Sequence, residues 1–233
     1  MSSVTRKLNI HGKQGIVNIF SWLIFSSFLL FGSAGTLYWA RGWIYICQQF
    51  SFYIFYILTL LTVNPQLLNE RGKYNWKETK RYDKYFVISY YVLGPSMLIV
   101  AGLDVRFQWS SIPFITVFPS LAAIILTSGI ALWAQINNSH FLLTSRNDIS
   151  DTQRVCTTGP YKYIRHPGNL CAVIQWFCYP FVLGSLFCFI PALMYMLFWI
   201  IRTYYEDKIL TRELKGYEAY SKTTKYRLFP YLW

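Results

Sequence analysis

The sequence predicts an all-α integral membrane protein of about six transmembrane helices, the last two forming a helical hairpin, with the N- and C-termini cytoplasmic. Three observations predict it. Hydrophobic residues make up 54% of the 233 residues and charged residues only 14%, against roughly 25% charged in soluble domains. The chain is free of Asp, Glu, Lys and Arg over residues 14–40, 42–69, 85–103, 107–145 and 167–201, and each interval can hold the ~20 apolar residues that cross a bilayer core. Lysine and arginine fall almost wholly on one side of the topology that follows.

Spans are expected at about 16–39, 43–63, 85–103 and 112–135. The first apolar run is too long for a signal peptide and lacks its small-residue cleavage site, so it is expected to stay in the mature chain. Residues 64–84 carry Trp76 and Tyr82 among Lys, Arg and Glu. That segment reads either as a charged connector or as a short helix along the interface. The interval 167–201 is long for one crossing and slightly short for two. A hairpin turning near Leu183-Gly184-Ser185, with spans at 168–183 and 186–208, leaves only Arg41 and Arg106 of the 22 Lys and Arg outside. One span there would move every basic residue from Arg202 to Arg227 outward, so the positive-inside rule favours the hairpin. Tyr38, Trp39, Trp43 and Trp109 fall at span ends, as an interfacial belt requires. Gly32, Ala34 and Gly35 offer close packing between helices or with a second copy. No linker separates domains, so residues 1–233 form a single membrane domain.

The net charge of +12 lies on the cytoplasmic face under this topology, where it suits anionic headgroups or an anionic cofactor. Its basic residues are scattered over four membrane-proximal segments, which argues against a nucleic-acid partner. Cys47, Cys156, Cys171, Cys178 and Cys188 show no Cys-x-x-Cys spacing and read as small apolar residues. His11, His140 and His166 are far apart in the chain, so no metal site is expected.

Polar chemistry concentrates in Thr158-Gly159-Pro160-Tyr161-Lys162-Tyr163-Ile164-Arg165-His166-Pro167, which abuts the last apolar interval. A residue before proline is pushed toward extended backbone, and proline favours the first position of a helix. Pro167 therefore begins a helix whose N-terminus faces the cytoplasm, a site for a carboxylate or a phosphate. Snorkelling of Arg165 and His166 to headgroups is the plainer alternative. Upstream, residues 137–167 hold Asn137, Asn138, His140, Arg146, Asp148, Asp151, Gln153 and Arg154, enough polar chain to fold over a ligand. Arg202 and Glu206 share a helix face, but Arg ahead of Glu is the weaker order for an i, i+4 pair. A ligand with donors or positive charge is a better partner for Glu206. Antiparallel hairpin arms would bring that face beside His166.

The stretch Gly159-Pro160-Tyr161, Arg165-His166-Pro167, then Arg202-Thr203 with Glu206-Asp207, Gly216-Tyr217-Glu218-Ala219-Tyr220 and Tyr226-Arg227-Leu228-Phe229-Pro230 resembles the isoprenylcysteine carboxyl methyltransferase and phospholipid methyltransferase superfamily. The likeness covers residues 137–233, and the order and spacing of its blocks make it specific. A weaker likeness at Ala40-Arg41-Gly42-Trp43, Lys80-Arg81-Tyr82-Asp83-Lys84 and Gly102-Leu103-Asp104-Val105-Arg106-Phe107 extends to a bacterial branch of that family.

The resemblance implies a helical, membrane-embedded enzyme of a bacterial inner membrane that uses S-adenosylmethionine on the cytoplasmic side. Residues 137–233 would be its cofactor-binding catalytic half. It implies a lipophilic or lipid-linked acceptor, carboxylate or amine, among the membrane lipids. Carried over by position, Gln153, Arg154, Val155, Cys156, Tyr161, His166, Pro167, Gly168 and Asn169 would line the cofactor. Glu206 would hold a polar end of it, and Arg202 would face the acceptor. The family usually has Tyr where this chain has Asn169 and Gly where it has Cys171, and the first change removes an aromatic wall. Membrane sterol reductases share an Arg-His-Pro loop and a similar ending but use NADPH, and a non-catalytic scaffold of this fold is a further alternative. Gly159-Pro160-Tyr161 and Arg202-Thr203 with Glu206-Asp207 favour the methyltransferase.

Overall fold

A computed structural model describes residues 7–73, 76–77, 79–138 and 154–233. Within them the chain is all-helical: α1 (Ile10–Ala34), α2 (Ala40–Val63), α3 (Pro65–Gly72), α4 (Arg81–Phe107), α5 (Val117–Asn137), α6 (Pro167–Leu183), α7 (Phe189–Glu213) and α8 (Tyr217–Thr223). Single 3₁₀ turns at Phe114–Thr116 and Gly159–Lys162 lead into α5 and toward α6. Among the described residues, α1, α2, α4 and the run Phe114–Asn137 are long and apolar enough to cross a membrane. By the same length and composition, α6 with 17 residues and α7 with its charged end are not among them.

Helix ends differ from the expected spans for identifiable reasons. The first span was expected to run to 39, but α1 stops at Ala34 because Gly35 takes a left-handed conformation (φ 68°) and its N–H bonds the Phe31 carbonyl, a common glycine C-cap. The short-helix reading of 64–84 is met in part by α3, which begins at Pro65 behind the Asn64 cap. Gly184, at φ 81°, turns the α6–α7 hairpin where a turn was expected. A Cβ added at Gly32 would meet nothing within 4 Å, so Gly32 makes no close approach to a neighbouring helix within the described chain. Ala34 does make one, with Gly102 of α4, where a Cβ would lie 2.7 Å from the Ala34 N and from the Leu30 carbonyl oxygen. Trp39, expected in an interfacial belt, is instead buried, edge-on to Phe31.

α4 packs between α1 and α7, and α6 packs between α7 and α5. The main core, which includes Leu30, Met97, Ile124, Val182, Leu183 and Tyr195, lies between these helices. At the end away from Pro167, two charges hold the hairpin turn. Arg41 donates to the carbonyls of Phe181 (2.8 Å) and Ile112 (2.5 Å). Buried Asp104 accepts from the Ser110 N–H (2.7 Å), the Ser110 hydroxyl (2.5 Å) and the Ser185 hydroxyl. These bonds tie the α6–α7 turn to α2 and to the end of α4, and the other ends of α6 and α7 carry the expected site residues.

Candidate active site

At those other ends the loop before α6 is fixed by the C-terminal segment. His166 is non-helical (φ −125°, ψ 63°) and Pro167 is the first residue of α6, as the X-Pro geometry requires. The Arg165 N–H donates to the Tyr226 carbonyl (2.9 Å) and the His166 N–H to the Arg227 carbonyl (3.0 Å). Two blocks that are distant in sequence therefore lie side by side. Tyr220 secures the loop further by donating its hydroxyl to the Tyr161 carbonyl (2.7 Å).

The adjacent acids Glu206 and Asp207 do different work. Asp207 is 2% exposed and takes Arg165 Nη1 at 3.1 Å, His166 Nε2 at 3.2 Å, Arg227 Nε at 2.8 Å and the Tyr217 hydroxyl at 2.9 Å. Arg165 and His166 come from the loop, Tyr217 from α8 and Arg227 from the C-terminal segment, so Asp207 is the point at which loop, α7, α8 and C-terminus are joined. A buried carboxylate is tolerable only when charge and hydrogen bonds compensate it, and here both do. Burial, then the neighbouring Asp207 carboxylate, pushes the Tyr217 phenol far above its usual range. Tyr217 therefore remains a proton donor to Asp207 at neutral pH. Burial likewise raises Tyr220 to about 12.

Glu206 faces a pocket instead. Its carboxylate accepts from Asn169 Nδ2 at 3.0 Å and lies 3.8 Å from His166 Nδ1 and 3.7 Å from Arg202 Nη1. Asn169 also donates to Thr203 (3.0 Å) and accepts from Arg202 (3.4 Å). Its amide thus ties the first turn of α6 to α7 at three points. Arg202 is buried and is more committed than the sequence indicated. Its Nε donates to Asp83 Oδ1 at 2.7 Å, and its guanidinium lies 4.8 Å from the Phe86 ring centroid and 5.3 Å from that of Trp199. Asp83 is fully buried in the first turn of α4.

A cavity of about 100 Å³ opens between these groups. Arg154, Val155, Cys156, Tyr161, His166, Pro167, Gly168, Asn169, Arg202 and Glu206 all border it, so every expected site residue in the described chain is brought to one place. Gln153 lies outside the described residues, as do His140, Arg146, Asp148 and Asp151 of the polar segment. Tyr217, Tyr220, Asp83 and Asp207 stood in the sequence only as members of motifs with no role of their own; here Tyr217 and Tyr220 complete the wall, and Asp83 and Asp207 hold its cations. A shallower groove of about 510 Å³ between residues 154–157 and α8 shares Arg154, Val155 and Tyr220 with the cavity and continues it.

Comparison with known families bears on these helices directly. Residues 115–216 match the phospholipid methyltransferase family. The match is consistent with the superfamily that the motifs resemble, and it supports a membrane methyltransferase. It runs from the turn before α5 to Gly216, so it includes both hairpin arms and stops short of Tyr217, Tyr220 and Arg227. Comparison with curated proteins gives no significant match.

Proposed function

We propose that this chain is an S-adenosylmethionine-dependent methyltransferase acting on a lipophilic or lipid-linked acceptor, carboxylate or amine, at the cytoplasmic membrane interface. The observation that carries it is the convergence of residues 154–169 with Arg202 and Glu206 on one pocket, inside a chain whose residues 115–216 match a methyltransferase family. Six crossings complete the reading, with α6 and α7 as the last two. Both termini and the pocket then face the cytoplasm, in our reading that of a bacterial cell.

The pocket's donor set fits this cofactor, which carries a carboxylate, an ammonium group, a sulfonium and an aromatic base. Glu206 is the partly open acid suited to the positive groups, and Arg154 is the base suited to the carboxylate. Tyr161, Tyr217 and Tyr220 offer ring faces to a cation or a flat base. The groove along α8 gives length that the inner cavity lacks. When bound, the cofactor supplies a methyl group on positively charged sulfur.

The chain's own part is to position the reactants. Asn169 and His166 hold the Glu206 carboxylate in place, and Asp83 holds Arg202. Arg202 stays charged at any working pH, so it holds a carboxylate acceptor by a fork of hydrogen bonds and takes no proton. Burial of Arg202 among Phe86 and Trp199 keeps water from the acceptor side.

Thermal stabilisation of the detergent-purified protein by S-adenosylmethionine, by its demethylated product and by NADPH tests the proposal. A ligand that binds the folded state raises the melting temperature with occupancy. The methyltransferase predicts a response to the first two. A response to NADPH alone would make the chain a reductase, and a response to none would make it a scaffold.

A further inference from the structure

A second, partly open space lies deeper in the bundle. A cavity of about 160 Å³ is bounded by side chains of α1, α2, α4, α5 and α6. Gln175 and Trp176 on its wall stand six and seven residues beyond Asn169 along α6, and so about 10 Å deeper at 1.5 Å per residue. Packed rings separate it from the cytoplasmic pocket. Trp176 meets Tyr195 (centroids 4.3 Å apart), Tyr195 meets Phe86 (5.4 Å), and Arg202 caps Phe86. Trp22, Phe52 and Tyr53 are only half-buried at its rim, so entry is from the lipid side.

The lining is polar without being charged. Gln175 Nε2 is used within the bundle, donating to Thr127 (3.3 Å) and Ser128 (3.1 Å), and Gln49 Nε2 donates to the Tyr45 hydroxyl (3.3 Å). Tyr53 and Tyr90 differ: both border the cavity, and neither hydroxyl bonds any described residue. A phenol placed among spans without a partner is unfavourable, so such groups call for something to bind. The cavity's size matches the ~150 Å³ engineered cavity that takes up benzene, and flat walls at Trp176 and Tyr90 favour a stacked ring. The absence of any lining Asp, Glu, Lys or Arg requires that ring to be uncharged.

We propose that this cavity is a second ligand site, distinct from the methyl-transfer pocket. Its ligand is an uncharged, ring-bearing amphiphile with a hydroxyl or carbonyl oxygen, of phenol or quinone type. The ring stacks on Trp176, and its oxygen accepts from Tyr53 or Tyr90. The site does not depend on the methyltransferase reading.

The test uses the full chain in phosphatidylcholine nanodiscs with radiolabelled 4-nonylphenol as probe. Expected are saturable binding above that of empty nanodiscs, competition by nonyl-benzoquinone, and at least about tenfold weaker competition by nonylbenzene, which has the same ring and tail without oxygen. The double variant Tyr53→Phe/Tyr90→Phe should weaken binding about tenfold or more, the loss expected from one to two hydrogen bonds. Leu98→Trp, which fills the cavity from a buried wall position, should abolish binding. The response to S-adenosylmethionine, read on the same preparations, should be unchanged in the tyrosine variants. No saturable binding by either oxygenated probe, equal competition by nonylbenzene, or unchanged affinity in the tyrosine double variant would overturn the proposal. A failure of the cofactor response alone would count only against the methyltransferase.

Discussion

Replacing Asp83 by alanine should be among the most damaging single changes in this chain, although Asp83 stands 119 residues from its partner Arg202. Asp83 is fully buried and Arg202 is 5% exposed, so the substitution leaves a guanidinium inside the bundle without its nearest carboxylate. Breaking a buried pair in this way costs about 3–5 kcal/mol. Glu206, at 3.7 Å from Arg202 Nη1, remains as a second carboxylate, which sets the expectation at about 3 kcal/mol. For a domain of this size that corresponds to a fall of about 6–12 °C in melting temperature. Arg202→Ala should cost a similar amount. Because the two substitutions remove one interaction, the double variant should be more stable than their sum by about 1–3 kcal/mol. Thermal unfolding of the four proteins in one detergent measures this. Additivity within about 0.5 kcal/mol would refute the claim that Asp83 holds Arg202.

Other substitutions probe the rest of the site. Asp207→Ala strips a buried acid from Arg165, His166, Arg227 and Tyr217 and should cost at least about 3 kcal/mol; a loss under about 1 kcal/mol would contradict its role as the joint. Glu206→Gln keeps an oxygen for Asn169 but removes the charge, so it should abolish stabilisation by S-adenosylmethionine while moving the ligand-free melting temperature by only a few degrees. Asn169→Tyr overfills a position 5% exposed and breaks the bonds to Thr203 and Glu206. It should destabilise by about 1–3 kcal/mol, and a gain in stability would show that the amide is dispensable. Arg41→Ala releases the Phe181 and Ile112 carbonyls and should speed amide exchange at the α6–α7 turn without altering the cofactor response.

Much of this architecture was legible because lipid imposes strong rules. Charge-free intervals located the helices, and the X-Pro step at His166-Pro167 gave the start of α6. The Arg-His-Pro block and the acidic pair, separated by a hairpin of antiparallel arms, had to meet, and they do so around His166 and Glu206. What escaped was pairing across the bundle. Nothing local tells that Asp83, one acid in a run of Lys, Arg and Tyr, turns inward to Arg202 or that Asp104 reaches from α4 to Ser185 at the α6–α7 turn. The one available signal was composition: each is a lone acid at the end of an apolar interval, where a carboxylate has a reason to be only if something buried answers it. The roles of Glu206 and Asp207 were also merged in the sequence. Successive residues on a helix point about 100° apart, so one faces the pocket while the other faces the C-terminal segment. Gly35 is a different case, since its role as the cap of α1 could have been read from glycine's preference for that position.

The central proposal is that the pocket bordered by His166, Asn169 and Glu206 delivers a methyl group to a lipophilic acceptor. The direct measurement incubates the purified protein, in membranes that supply lipid acceptors, with S-adenosylmethionine labelled in its methyl group and follows label into the organic-extractable fraction. Protein-dependent labelling is expected, and Glu206→Gln should reduce it at least about a hundredfold. Label transfer that Glu206→Gln leaves unchanged would contradict the proposal, as would a wild-type protein that binds the cofactor and transfers nothing to any lipophilic fraction.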